Sequence, residues 1–244
     1  MPASATVNFR TRTGHARRAR TRTKILTAAF ALFDERGVNR VTVEDVREAA
    51  GLARGTFYNY FLTYEEMLKE LAARIARQVN IEQSERFDGV TDMSERLWSN
   101  VRYGILRTAS DRSCSQIIVR IMPLMGPLNE AMRQHAEQNL RLAMRRKLIN
   151  LPSASVALDF GYGLASVMIR RALTGRIGSG ELESAGLMLL RAYGIPEREA
   201  RRISRLRFAP LPPRPLRDAV ISDLESSEPP RQARSRPTQK PVRE

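Results

Sequence analysis

TVEDVREAAGLARGTFYNYF, residues 42–61, decides how this chain is read. Thr42 has the side chain of a helix N-cap, and Asp45 stands three residues on, where its carboxylate can reach back to the cap backbone. Val43, Val46, Ala49 and Ala50 give the helix that follows a small apolar face. Gly51 stops that helix, because glycine enters the left-handed region without a Cβ penalty. Leu52 plugs the corner. A second helix is expected from Ala53 or Arg54 to Phe61.

Short helix, glycine turn and short helix make the helix-turn-helix pattern, whose second helix enters a DNA major groove. Phe57 and Phe61 are four apart and share the inward side. At about 100° per residue, Gly55 and Asn59 point the opposite way. Thr56 and Tyr58 flank them, with Tyr60 at the edge. The outward face carries hydrogen-bonding groups and a glycine that lets a backbone come close. Arg54 opens this helix, where base edges are usually reached. Asn59 suits a bidentate contact with an adenine edge, and the Tyr58 phenol suits a phosphate.

Over Val41–Leu68 the chain resembles the TetR family of bacterial transcriptional regulators. The matching residues are Thr42, Val46, Ala50-Gly51-Leu52, Gly55-Thr56-Phe57-Tyr58, Tyr60-Phe61 and Glu65-Glu66-Met67-Leu68, in register and without gaps. Two positions depart from the pattern. Ala53 stands where the family often has a capping Ser or Thr. Tyr64 stands where it usually has a phosphate-binding Lys, and could donate one uncharged hydrogen bond. The resemblance covers the N-terminal quarter. It implies a three-helix DNA-binding bundle, a larger helical domain that senses a small molecule, and a four-helix interface between two subunits.

The chain has 244 residues, a formal net charge of +15 and a pI near 11.1. That balance favours a polyanionic partner, nucleic acid or an anionic membrane surface. A lone Cys114 excludes an intrachain disulfide and suits a reducing, cytoplasmic compartment. No apolar run approaches the roughly 18 residues of a membrane span. The basic N-terminus has no apolar core behind it and does not read as a secretory signal.

Residues 1–20 read as a basic, flexible arm without periodicity. Arg20, Arg22 and Lys24 belong to an acid-free run and are expected to follow phosphates or enter a minor groove. Thr21 to Arg36 reads as the first helix, with Ile25, Leu26, Ala29, Phe30 and Phe33 inward and Gly37 at its end. The DNA-binding domain is thus expected over 21–67, with Thr42, Arg54, Gly55, Thr56, Tyr58, Asn59, Tyr60 and Tyr64 as its further DNA-contacting residues.

A helical regulatory and dimerisation domain is expected over 68–208. Thr63-x-x-Glu66 is a second capping box, opening a helix to about Gln83. Later helices are expected over 91–109, 113–122 (ending before Pro123), 127–150, 154–174, 180–193 and 197–205. Leucines and small residues in 154–193, Gly186 among them, suit either intrachain packing or a subunit seam. Pro, Arg, Ser and Glu dominate 209–244, which reads as disordered.

His15, His135 and Cys114 lack metal-ligand spacing, and Gly161-Tyr162-Gly163 lies inside a helix without the rest of a dinucleotide fingerprint. Neither a metal nor a cofactor is expected, and no catalytic constellation is visible. Trp98, Tyr103, Met122, Met125, Met132 and Phe160 could line an effector pocket, although methionine is also a common gap-filler. The expectation is an all-α, homodimeric, sequence-specific regulator on a palindromic double-stranded DNA operator, a ligand-responsive repressor without a membrane partner. The rivals are a non-specific architectural DNA binder and a helical enzyme or carrier.

Overall fold

The computed structural model describes residues 4–125, 130–207 and 210–226; the side chains of 4–13, 15, 123–125, 130–132 and 135 are outside that description. The described residues form ten α-helices and two 3₁₀ turns, an all-helical architecture. The first helices are α1 (Ser4–Arg36), α2 (Val43–Ala49), α3 (Tyr64–Phe87), α4 (Met93–Ala109) and α5 (Arg112–Met125). They are followed by α6 (Glu130–Arg145), α7 (Ala154–Leu173), α8 (Ser179–Ala192), α9 (Glu197–Ser204) and α10 (Leu216–Ser226).

Starts follow the capping residues. Thr42 accepts from the Asp45 amide, and Asp45 accepts from the Thr42 amide at 2.7 Å, a complete capping box. At α3 only half of the expected box forms. Thr63 accepts from the Glu66 amide, but Glu66 turns to the Leu62 amide instead. Asp92 caps α4 through the Ser94 and Glu95 amides, and Ser153 caps α7.

Several expected boundaries move. α1 begins at Ser4, so residues 4–20 are helical and not an irregular arm. Arg and Ala are strong helix formers, and extending a formed helix costs far less than nucleating one. α5 passes Pro123 and ends at Met125, so the one ladder bond that the proline cannot donate falls in its last turn. α6 stops at Arg145, short of Asn150, because Lys147 takes a left-handed φ of 55° and Leu148 donates back to the Ala143 carbonyl.

Two apolar clusters fill the molecule. One joins Ile25, Phe30, Phe57 and Phe61 to Met67, Leu71 and Ile75 of α3, then to Cys114 and Ile117 of α5. It runs through the 67/68 boundary, so the N-terminal head and the base of the body share one core. The second gathers Trp98, Ile105, Leu158, Ile169, Leu189 and Ile203 from α4, α7, α8 and α9. Between α3 and α4, the nearly inaccessible Arg107 donates twice to Glu82, at 2.7 and 3.0 Å, and Tyr103 donates to the same carboxylate at 2.7 Å. Burial pushes the Glu82 carboxyl up, but these hydrogen bonds outweigh it and hold it below its ordinary value.

The largest departure is at the far end. Residues 210–226, expected within a disordered tail, contain α10, which packs on α1, α3 and α5. Leu216, Val220 and Leu224 are buried in the first cluster. Asp223 pairs with Arg74 and Arg77, Arg217 pairs with Asp34, and the Arg217 amide donates to Asp111 at 3.0 Å. The period of Leu216, Val220 and Leu224 is helical; the flanking prolines and charges concealed it. Residues 227–244 of the expected tail lie outside the described residues.

Replacing Val220 with Asp would place an unpaired charge in that cluster. The expected cost is about 3 kcal/mol, or a fall of roughly 6–12 °C in melting temperature for a chain of this size. Calorimetry checks it, and removal of residues 210–244 should lower the transition as well.

Candidate nucleic-acid interface

The head is built from α1, α2 and an irregular segment before α3. Gly51 has a φ of 62°, as the expected turn requires, and the Leu52 amide donates to the Arg47 carbonyl. The expected second helix is not an α-helix. Residues 54–56 turn, and Phe57–Asn59 form one 3₁₀ turn. Gly55 has a φ of 88°, which breaks the helical run that spacing alone suggested. Its role is therefore conformational: a side chain there would be strained even though the surrounding space is open.

Phe57 and Phe61 are buried, as their spacing implies, with ring centroids 5.7 Å apart. Arg54, Gly55, Tyr58 and Asn59 are exposed, and Thr56 and Tyr60 are half-buried. Thr42 is exposed, with its hydroxyl 2.6 Å from Asp45. Arg54 lies within electrostatic reach of α2: Glu44 is held below its usual carboxylate range first by a hydrogen bond from Arg47, with Arg54 adding a smaller attraction. Ala49, assigned to the apolar face of α2, is exposed, whereas Val46 is fully buried.

Three of the expected DNA-contacting residues are differently placed. Tyr64 donates its hydroxyl to the Val38 carbonyl at 2.8 Å and packs edge-on against Phe33. Burial pushes its phenol up to about 12. A hydroxyl whose one proton is committed to a backbone acceptor is not a phosphate donor. Arg22 is not part of a flexible arm: it donates to Glu70 at 2.7 Å and to the Tyr60 carbonyl at 3.2 Å, over the Phe61 ring. Arg20 is half-buried on α1, and Lys24 is exposed there. Arg18, which the sequence did not single out, donates to the Asn59 carbonyl at 3.1 Å. The four-residue spacing of Arg18 and Arg22 carries that signal, but only once residues 4–20 are known to be helical.

Among the described residues, the expected effector-pocket side chains stand in different surroundings, with Tyr103 in the first cluster and Trp98 in the second. Trp98 is fully buried beside Gly186, where an added Cβ would lie 2.5 Å from the indole. Tyr103 is tied to Glu82. Met122 is half-buried, and Phe160 is 47% exposed on α7. The side chains of Met125 and Met132 lie outside the described residues. Among the described residues, no group of His, Cys, Asp or Glu could hold a metal ion, and no helix is long and apolar enough to cross a membrane.

A capped short helix, a left-handed glycine and a segment anchored by two phenylalanines are the parts of a DNA-reading head. The family model of bacterial regulatory proteins, tetR family, matches residues 25–71. The head, residues 25–71, is thus similar to the DNA-binding region of the tetR family. Over 50 residues the chain is 42% identical to the transcriptional repressor KstR2 of Mycobacterium tuberculosis, and to KstR2 of Rhodococcus jostii. Those matches span 20% of this chain and about a quarter of those relatives' length. Over most of its length the chain is similar in fold to the crystal structure of RolR bound to resorcinol, with a TM-score of 0.61 and 23% identity. That likeness covers 80% of this chain and 97% of RolR; ligand-free RolR gives a TM-score of 0.58.

Tyr64→Phe tests the reassignment of that phenol. It should cost about 1 kcal/mol for one hydrogen bond and leave the salt dependence of DNA binding unchanged. Because the folded phenol is raised above its ordinary value of 10 to about 12, its contribution is full below pH 10 and lost as pH rises towards 12. Denaturation across that window should show a smaller alkaline loss in Tyr64→Phe than in the unaltered chain.

Proposed function

We propose that this chain is a sequence-specific DNA-binding transcriptional regulator, a ligand-responsive repressor that acts as a homodimer on a palindromic operator. The observation that carries the reading is the head: Arg54, Tyr58 and Asn59 are exposed on a segment whose Phe57 and Phe61 are locked inward. Phosphates would set the register, and base edges would supply the code. Thr56 and Asn59 are the base-reading residues, Asn59 through an adenine edge. Thr42, Gly55, Tyr58, Tyr60 and the exposed cation Lys24 would lie along the backbone. The family of the head is one of regulators and not of enzymes, and the cytoplasm is the compartment that goes with this role.

Dimerisation is supported by α7 and α8. Val156, Phe160, Val167 and Met188 are exposed there, and an open groove of about 470 Å³ is lined by Leu164, Met168, Arg171, Glu181 and Met188. Exposed apolar side chains around an open groove suit an interface with a second copy. Gly186 is not part of that face, because it is buried against Trp98; a charge there would disrupt the intrachain core. An effector in the helical body would act by binding two arrangements of the heads with different affinity. RolR with resorcinol is a precedent in the same fold for a small molecule in such a protein.

Enrichment of bound duplexes from a randomised pool tests the reading. A palindrome should emerge, and Asn59→Ala should lose roughly 1–3 kcal/mol on it and relax one base pair per half-site. Equal loss on scrambled DNA would show that Asn59 does not read bases. Met188→Glu should yield monomers in light scattering and weaken operator binding; a variant that stays dimeric would remove α8 from the interface.

A further inference from the structure

Arg18 and Arg22 lie four residues apart on α1 and therefore share one face of it. Arg18 donates to the Asn59 carbonyl at 3.1 Å, with its guanidinium 5.9 Å over the Tyr60 ring. Arg22 donates to the next carbonyl, Tyr60, at 3.2 Å. It stands 4.4 Å over the Phe61 ring and is itself held by Glu70 of α3. Two consecutive carbonyls at the end of the reading segment are thus taken by two cations from one helix.

The segment needs such help. Its own ladder is short: Asn59 donates to Thr56, and Tyr60 and Phe61 donate to Phe57. The last carbonyls of any helical turn have no partner within it, and a cation is favourable beside them. A single turn does not hold its shape unaided. Gly55, at a φ of 88°, adds a permissive joint at the other end.

We propose that Arg18 and Arg22 form a clamp that fixes the backbone of the reading segment and so presents the Asn59 side chain to a base edge in one orientation. Arg18 is a positioning residue for base readout, not a phosphate contact. This rests on the DNA-reading assignment above. It also gives the helical extension of α1 a purpose, since an irregular arm would not hold Arg18 in register with Arg22.

Arg18 is exposed, so Arg18→Ala should leave the melting temperature unchanged. Amide hydrogen exchange of the DNA-free variant reads the clamp directly. The Asn59, Tyr60 and Phe61 amides should exchange roughly fivefold faster, the size expected for losing one exposed hydrogen bond. Binding titrations then use the duplex enriched by the unaltered protein and a scrambled duplex, at several salt concentrations. The ratio of the two affinities should fall by a similar factor, with the salt slope unchanged. A uniform loss on both duplexes, with a slope lower by about 1, would assign Arg18 to a phosphate and overturn the clamp. Unchanged exchange rates would overturn it as well. Should the unaltered protein fail to distinguish the duplexes, the base-reading assignment falls, while the exchange measurement still judges the clamp.

Discussion

Burial of Phe57 and Phe61 is the constraint on which the head depends. The segment that carries them has one 3₁₀ turn and two glycines of positive φ upstream, so local hydrogen bonding does little to fix it. Two fully buried aromatic rings are worth several kcal/mol together by apolar area. They fix which residues face outward: with the rings inside, Tyr58 and Asn59 remain in solvent. α1 and α3 supply the wall against which the rings pack, and the arginines of α1 reach over the top of it.

That wall is not a private core of the head. Ile25 and Phe30 belong to the same cluster as Ile75, Ile117 and Val220. A change in the packing of α3 or α5 is therefore felt under the reading segment without an intervening linker. The second cluster, around Trp98 and Leu189, lies beyond, and Ile118 packs against both. Body and head are thus joined by contiguous apolar packing, and close-packed interiors transmit displacement instead of absorbing it.

Much of this was legible in the residues. Thr42 and Asp45 announced α2, Gly51 announced its end, and the spacing of Phe57 and Phe61 announced which side is buried. What hid was tertiary in origin. Gly55 looked like an exposed helical glycine, because nothing local distinguishes an open helix position from a left-handed joint. Arg22 looked like an arm residue, because its partner, Glu70, lies 48 residues away. Tyr64 matched a phosphate-contacting position, yet its acceptor is the Val38 carbonyl, 26 residues upstream. Gly186 suggested a subunit seam by composition, and only packing shows that Trp98 fills the space beside it.

α10 was concealed for the same reason, and its placement bears on the order in which the molecule assembles. Arg74 and Asp223 are 149 residues apart in the chain. Closing so long a loop costs entropy before any contact returns it, a cost that is smaller once the helices beneath α10 have met. In reverse, it is secured by three apolar side chains and a few ion pairs at the surface. It can leave while the longer helices still hold, uncovering an apolar strip that runs from α1 to α5. A departure of α10 would thus expose apolar surface of α1, α3 and α5, far in sequence from α10 itself.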